Sequence, residues 1–182
     1  MVIDMKSAEN ESILTVAKLM LAAAKTAPKG SGKDKIVGAI LIGDDKDKLV
    51  KKMHSLAAEY GEAFIERDAN NVNDAAAIVL LGAKETPFGL SNCGMCGFYD
   101  CREMKSHGAN CAFYITDLGI AVGSAVSVAA NHHIDNRVMY SAGRAAYKLN
   151  FLGDDVRVCY GIPLYTGAKS IFFDRNKGAV LR

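Results

Sequence analysis

Four of the chain's five cysteines fall within one short window, and no other feature limits the possible folds as strongly. They follow the spacing Cys93-x2-Cys96-x4-Cys101-x9-Cys111. Thiols this close in sequence can reach one centre without contributions from distant segments. Gly94 and Gly97 flank the first pair, and glycine permits the positive-φ backbone that a tight ligand loop needs. The window therefore predicts a metal site carried by a small insert at about residues 87–111.

Two kinds of metal group suit this spacing. Iron–sulfur clusters are held by four cysteine thiolates, whereas structural zinc usually takes two Cys-x2-Cys knuckles. Nine residues separate Cys101 from Cys111, which makes a poor knuckle, although His107 could replace one thiol in a zinc site. Four unligated core thiols would require the clustering to be accidental. We therefore predict that an iron–sulfur cluster, or alternatively zinc, is bound by Cys93, Cys96, Cys101 and Cys111.

Composition and the N-terminal sequence limit the class of protein and the compartment to which this chain could belong. The formal net charge is +2 and the lysines are scattered, which argues against a nucleic-acid binder. "MVIDMKSAENES" lacks the basic and apolar regions of a secretory signal, and we see no apolar stretch of about 18 residues unbroken by Gly or Ser. We expect a cytoplasmic protein with no membrane segment. Thiols stay reduced there, which favours metal ligation over disulfides.

The rest of the chain alternates between helical and strand patterns. Half of the 182 residues are hydrophobic, enough for one domain over residues 1–182. The apolar runs "IVGAILIG" and "AAAIVLLGA" predict two buried strands, and "DDVRVCYGIPL" and "KSIFFDR" predict a third and a fourth. Cys159 lies in the third and is expected to be a buried, inert thiol. This order predicts an α+β or α/β layered domain.

Four helices are expected between these strands. The first is capped by Ser7 or Asn10, and the second begins at Asp44 and keeps its apolar stripe as far as Phe64. The third is rich in small residues and should be packed on all sides. The fourth is capped by Asp135 or Asn136 and runs through Leu149.

Several segments together resemble a known family. "CGMCGFYDC", "DLGIAVGSA", "DNRVMYSAG" and "IFFDR" are similar to uncharacterised ferredoxin-domain proteins of anaerobic bacteria and archaea, over nearly the whole chain. More distantly, "AAAKTAPKGSGKDKIVGAILIGDDKDKLVKKM" and "DDVRVCYGIPLYTGAKS" resemble the nitroreductase-like flavoprotein fold. That resemblance implies an α+β, three-layer fold with a mainly antiparallel sheet flanked by helices. It also implies FMN, an intertwined homodimer, and redox chemistry with NAD(P)H or a ferredoxin.

The resemblance also assigns flavin-binding residues by position. Those matching the flavin-facing turn and loop are Ala27, Pro28, Lys29, Gly30, Lys33 and Asp34. Lys169 and Arg175 match C-terminal basic positions near the FMN phosphate. Typical nitroreductases begin with an Arg-Arg-Ser-like segment that grips this phosphate. Here the corresponding "KSAENES" has Lys6 as its only base, so the phosphate would have to be held differently.

The predicted function is an oxidoreductase that passes electrons between a flavin and a four-cysteine cluster. No acid–base residue stands out, as expected where cofactors supply the reactive groups. The alternative is a non-catalytic metal protein on a flavoprotein-like scaffold, either a one-electron carrier or a zinc-stabilised dimer. A third hypothesis is that the scaffold binds another flavin-like or nucleotide ligand.

Overall fold

The computed structural model describes residues 1–173. In chain order the elements are α1 Met5–Thr26, a 3₁₀ turn Gly30–Gly32, β1 Ile36–Leu41, α2 Gly43–Tyr60, α3 Ala63–Asp74, β2 Ala77–Lys84, α4 Cys101–Ser106, α5 Ala112–Asn131, β3 Asp135–Asn136, α6 Tyr140–Lys148 and β4 Val156–Tyr165.

The strands form one sheet between two layers of helices. Their order is β1-β2-β4-β3, and every neighbouring pair is antiparallel. Side chains alternate along β2, so Val79 and Leu81 pack with α1 and α5, while Ile78 and Leu80 pack with α2, α3 and α6. The prediction of an α+β, three-layer fold with a mainly antiparallel sheet is confirmed.

After α1, helix α5 is the longest element of the core. Leu118, Ala121 and Ala125 are fully buried against α1 and the sheet. On the opposite side Gly119 and Gly123 are exposed, and a Cβ added at either would meet no atom within 4 Å. The expectation of a helix packed on all sides is therefore wrong for the single chain.

By length and composition alone, α5 could cross a membrane, which contradicts our expectation that no stretch qualifies. α5 packs against α1 and against the same face of the sheet, as a core helix does.

The first two predicted helices differ from the structure in their boundaries. Asp4 caps α1, because its carboxylate accepts a hydrogen bond from the Ser7 N–H at 2.9 Å. Ser7 itself lies inside the helix. Gly61, with a φ of 70°, ends α2 in the left-handed conformation. Phe64 therefore belongs to α3, a helix that the sequence pattern did not separate from α2.

The expectations for the C-terminal part also needed correction. Met139 exchanges two backbone hydrogen bonds with Gly161, at 2.8 and 3.0 Å. This pairing keeps the chain extended, so α6 begins only at Tyr140, and Asp135 and Asn136 form β3 instead of a helix cap. Residues 169–173 contain bends and no strand, and the remainder of "KSIFFDR" lies outside the described residues.

Candidate functional site

The cysteine-rich segment leaves β2 and reaches α5 through a series of tight turns. Asn92, Gly94 and Gly97 have φ values of 56°, 63° and 84°. The Gly97 N–H donates to the Gly94 carbonyl at 2.9 Å and closes a turn around Cys96. The two glycines thus adopt the positive-φ backbone that the sequence predicts for them.

The two later cysteines are fixed by the starts of helices. The Asp100 carboxylate accepts from the Glu103 N–H at 2.8 Å, and the Glu103 carboxylate accepts from the Tyr99 N–H at 2.7 Å. This pair of caps fixes the start of α4 at Cys101. Cys111 is the N-cap residue of α5.

All four cysteines line one pocket. Its lining residues are Phe88, Leu90, Cys93, Gly94, Met95, Cys96, Phe98, Asp100, Cys101, Met104, Cys111, Ala112 and Phe113. The four thiols are free and partly exposed, and most of the other lining side chains are apolar. Four thiols on mainly apolar walls are the donor set and surroundings that an iron–sulfur cluster takes.

A single metal ion needs its ligands close together. A tetrahedral zinc ion at about 2.3 Å from each sulfur brings its thiolates to within about 3.8 Å of one another. Within residues 1–173, no three His, Cys, Asp or Glu side chains form a group that could hold one ion. His107 is not among the pocket residues. It caps the end of α4, where its Nδ1 lies 3.0 Å from the Glu103 carbonyl oxygen.

The fifth cysteine lies apart from this pocket. Cys159 is buried in β4, and burial raises the pKa of its thiol to about 12. It is a protonated thiol at physiological pH, in agreement with the expectation of an inert residue.

Charged side chains of the predicted flavin loop, residues 27–34, make contacts within the protein that stabilise the loop itself. Ala27 is buried and Pro28 exposed. The Lys29 ammonium donates to three carbonyl oxygens at the end of α1, those of Ala24, Lys25 and Ala27, at 2.8 Å each. Asp34 pairs with Lys25.

Asp34 also holds the start of β1. Its carboxylate accepts from the Ile36 N–H at 3.0 Å. Burial acts to raise the pKa of Asp34, but the Lys25 ammonium and the Ile36 N–H outweigh it, so the pKa lies below its usual value.

Several of the loop's backbone donors are also engaged. The Gly32 N–H donates to the Lys29 carbonyl and the Lys33 N–H to the Gly30 carbonyl, both at 3.0 Å. The Gly30 N–H donates to the two carboxylate oxygens of Asp117, at 3.1 and 3.3 Å. Lys33 is exposed, with its ammonium 5.4 Å from the centre of the Phe88 ring.

Phe88 joins this loop to the cysteine pocket. A Cβ added at Gly30 would lie 2.6 Å from the Phe88 ring, so the loop backbone packs directly on it. The same ring stacks on Phe113, with centroids 4.7 Å apart, and both rings line the cysteine pocket. The predicted flavin loop and the predicted metal site therefore share one aromatic wall.

Two residues of this arrangement were missed by sequence reasoning. Asp117 lies in "DLGIAVGSA", where an acid in a helix of small apolar residues indicates a buried role. Phe88 carried no such signal. Of the predicted phosphate contacts, Lys169 lies on the exposed segment after β4, and Arg175 lies outside the described residues.

The comparisons with known proteins agree with the sequence motifs. A family model described as "Uncharacterized protein containing a ferredoxin domain (DUF2148)" matches residues 107–175, which include Cys111 but not the first three pocket cysteines. A protein of Archaeoglobus fulgidus described as an uncharacterized protein is 41% identical over 183 residues, which cover 96% of this chain and 98% of that protein. The chain belongs to this ferredoxin-domain family.

Solved structures that resemble this ferredoxin-domain protein are nitroreductases and related oxidoreductases. One is a putative NADH dehydrogenase/NAD(P)H nitroreductase of Bacteroides thetaiotaomicron, with a TM-score of 0.57, 12% identity, and coverage of 93% of this chain and 78% of that one. Another is the FMN-dependent nitroreductase NfnB of Mycobacterium smegmatis in complex with NADPH, with a TM-score of 0.58, 12% identity, and coverage of 85% and 78%. At this identity the likeness shows the nitroreductase-like fold.

Proposed function

We propose that this ferredoxin-domain protein is an oxidoreductase that uses a flavin and an iron–sulfur cluster. The cluster ligands are Cys93, Cys96, Cys101 and Cys111, and the loop at residues 27–34 holds part of FMN. The observation that carries this proposal is the position of Phe88, which packs on Gly30 and also lines the cysteine pocket. Two redox groups held on either side of one ring would be close neighbours.

The cysteine segment has the features that a cluster site requires. Cys111 is the N-cap residue of the 20-residue helix α5, so its position is fixed by the start of that helix. The rings of Phe88, Phe98 and Phe113 limit the access of water, and such shielding is one of the factors that set a cluster's potential. When bound, the cluster would store single electrons.

On the flavin side, the residues around the loop keep it in place. Lys29 and Asp34 fix the loop between α1 and β1, and Asp117 fixes Gly30. Lys169 and Arg175 are proposed to contact the phosphate. When bound, the flavin would exchange a hydride with a donor and single electrons with the cluster.

NAD(P)H or a ferredoxin is the proposed redox partner. The NADPH complex of the Mycobacterium smegmatis nitroreductase supports the first of these. We also propose that residues 1–182 form one domain in a cytoplasmic homodimer. The exposed face of α5, with Gly119 and Gly123, would allow the backbone of a second chain to approach closely.

Quantification of iron, acid-labile sulfide, zinc and flavin in anaerobically purified protein tests this function. We expect iron and sulfide together with flavin, and visible absorbance from both groups. A colourless protein without iron would contradict the proposal. Serine substitution of Cys93 should remove iron, whereas the same change at Cys159 should not.

A second candidate function is that of a one-electron carrier without flavin. It is favoured by the engagement of Lys25 and Lys29 in contacts within the protein, which leaves few cations at the loop for a phosphate. Iron and sulfide without flavin, even after incubation with FMN, would support this alternative. One zinc ion per chain without iron would instead support a zinc-stabilised dimer.

A further inference from the structure

A second cavity lies next to the cysteine pocket, between the end of β2, the end of α4 and the first turn of α5. We call it the Tyr114 cavity. Its space is about 420 Å³ with the open mouth included, within the range that is usual for small-molecule sites. Met104 and Cys111 line both cavities. A molecule in the Tyr114 cavity would therefore contact side chains that also form the cysteine pocket.

Tyr114 carries a buried hydroxyl group without a hydrogen-bond partner. The residue is only 3% exposed, and its ring packs against Phe88, with centroids 5.7 Å apart. Within residues 1–173 no group donates to this hydroxyl or accepts from it. Buried polar groups are normally satisfied, by the protein or by a bound molecule. Because Tyr114 lines the cavity, a molecule inside the cavity can supply the partner that the protein does not.

The lining of the Tyr114 cavity also includes one unpaired charge. Lys84 and Glu85 are neutralised, by Asp155 at 2.7 Å and by Arg157 at 2.8 Å. The exposed Lys105 ammonium makes no hydrogen bond or ion pair in the part of the chain that the structure describes. Much of the remaining wall is apolar, formed by Ala83, Met104, Ile115 and Val158. An unpaired cation, an apolar wall and a buried hydroxyl suit a ligand with one negative charge, a short apolar chain and a second oxygen.

We propose that the Tyr114 cavity binds a small organic acid. The carboxylate of the acid pairs with Lys105, and a second oxygen, from a carbonyl or hydroxyl group, hydrogen-bonds to the Tyr114 hydroxyl. The acid lies against Cys111 and so reaches the edge of the proposed redox centre. This inference rests on the proposed function for that last step alone, because binding of the acid depends on the cavity and not on the metal.

The test compares 2-oxobutyrate with butyrate, which has a methylene group in place of the carbonyl. Dissociation constants are measured by isothermal titration calorimetry on the anaerobically purified full chain. We expect the wild type to bind 2-oxobutyrate about three- to tenfold more tightly than butyrate. Tyr114→Phe removes only the hydroxyl, so this variant should bind the two acids equally while keeping the wild-type unfolding temperature. The four measurements form a double-mutant cycle in which the carbonyl group is one of the two changes.

Two lysine variants test the position of the carboxylate. Lys105→Gln should weaken the binding of both acids by the same factor, about two- to fivefold. Lys18→Gln is the matched control, because Lys18 is an exposed residue of α1 outside the cavity, and it should change neither affinity. Electron paramagnetic resonance tests the contact with Cys111. In the reduced wild type, saturating 2-oxobutyrate should shift the g values of the cluster signal.

Failure of this inference can be distinguished from failure of the proposed function. If neither acid binds, or if the wild type binds both equally, the inference is overturned and the proposed function stands. If 2-oxobutyrate keeps its advantage in Tyr114→Phe, the contact with Tyr114 is overturned in the same way. If the acids bind as expected to a protein that contains no iron, the proposed function fails and the ligand site stands. Unchanged g values at saturating acid would overturn its position beside the redox centre.

Discussion

Replacing Gly30 by alanine should disturb the stability of the fold and the metal site together. The added Cβ would lie 2.6 Å and 2.9 Å from two atoms of the Phe88 ring, whereas ordinary contact begins at 3.4 Å. The ring would have to move by roughly 0.8 Å, the difference between 3.4 and 2.6 Å. It is stacked on Phe113 and 7% exposed, so it has little room to yield.

Overpacking of this kind costs about 1–3 kcal/mol. In a chain of this length each kcal/mol lowers the unfolding temperature by about 2–4 °C, so we expect a fall of about 2–12 °C. Circular dichroism measures this directly, and iron analysis on the same sample reports the cysteine pocket. We expect the variant to bind less iron than the wild type, because the displaced ring is part of the pocket wall.

Gly32 provides the matched control. Its φ is +65°, but an added Cβ would meet no atom within 4 Å. Gly32→Ala should therefore cost about 1 kcal/mol of backbone strain without changing the iron content. In a Phe88→Leu background, Gly30→Ala should cost less than half of what it costs in the wild type. A Gly30→Ala protein with unchanged stability and iron content would refute the contact between loop and pocket.

Three other outcomes are expected. His107→Ala should leave the metal content unchanged, because His107 is absent from the pocket lining; loss of the metal would instead indicate a zinc site with a histidine ligand. Alkylation of the folded, metal-free protein at pH 8 should modify Cys111 and spare Cys159, whose pKa is raised by burial to about 12; equal labelling of both would contradict the burial of Cys159. The pKa of Asp34 is lowered in the folded state. Its contribution to stability is therefore present above the unfolded-state pKa of about 4, and it is lost as the pH falls through the folded-state pKa. In urea unfolding, Asp34→Asn should therefore be less stable than the wild type at pH 7 and equally stable near pH 2. An equal difference in stability at both pH values would show that the effect does not come from the charge of Asp34.

Much of the fold could be predicted because its longer strands are continuous apolar segments of the sequence. β2 is buried on both faces, so its continuous apolar run could be recognised without any knowledge of its partners. β3 has only two residues and exists because it pairs with β4, a tertiary contact that leaves no local pattern. The division between α2 and α3 depends on the left-handed conformation of Gly61, and a single glycine within a helical pattern does not by itself indicate a break.

The cysteines of the candidate site could be identified from the sequence, whereas the residues around them could not. Cysteine spacing is a local property, so the four pocket cysteines could be named from sequence. Contacts such as Gly30 with Phe88 and Gly30 with Asp117 join residues that are far apart in the chain. The positions of Lys29 and Asp34 matched a flavin loop, but the sequence could not show that both side chains hold the loop itself.

Low-temperature electron paramagnetic resonance of the protein, reduced under anaerobic conditions with dithionite, tests the central claim most directly. The account predicts an iron–sulfur signal in the wild type that is lost or altered when any one of the four pocket cysteines is replaced by serine. It also predicts that the signal persists in Cys159→Ser. A protein with no such signal that contains one zinc ion per chain would contradict the claim that the four cysteines hold a redox centre.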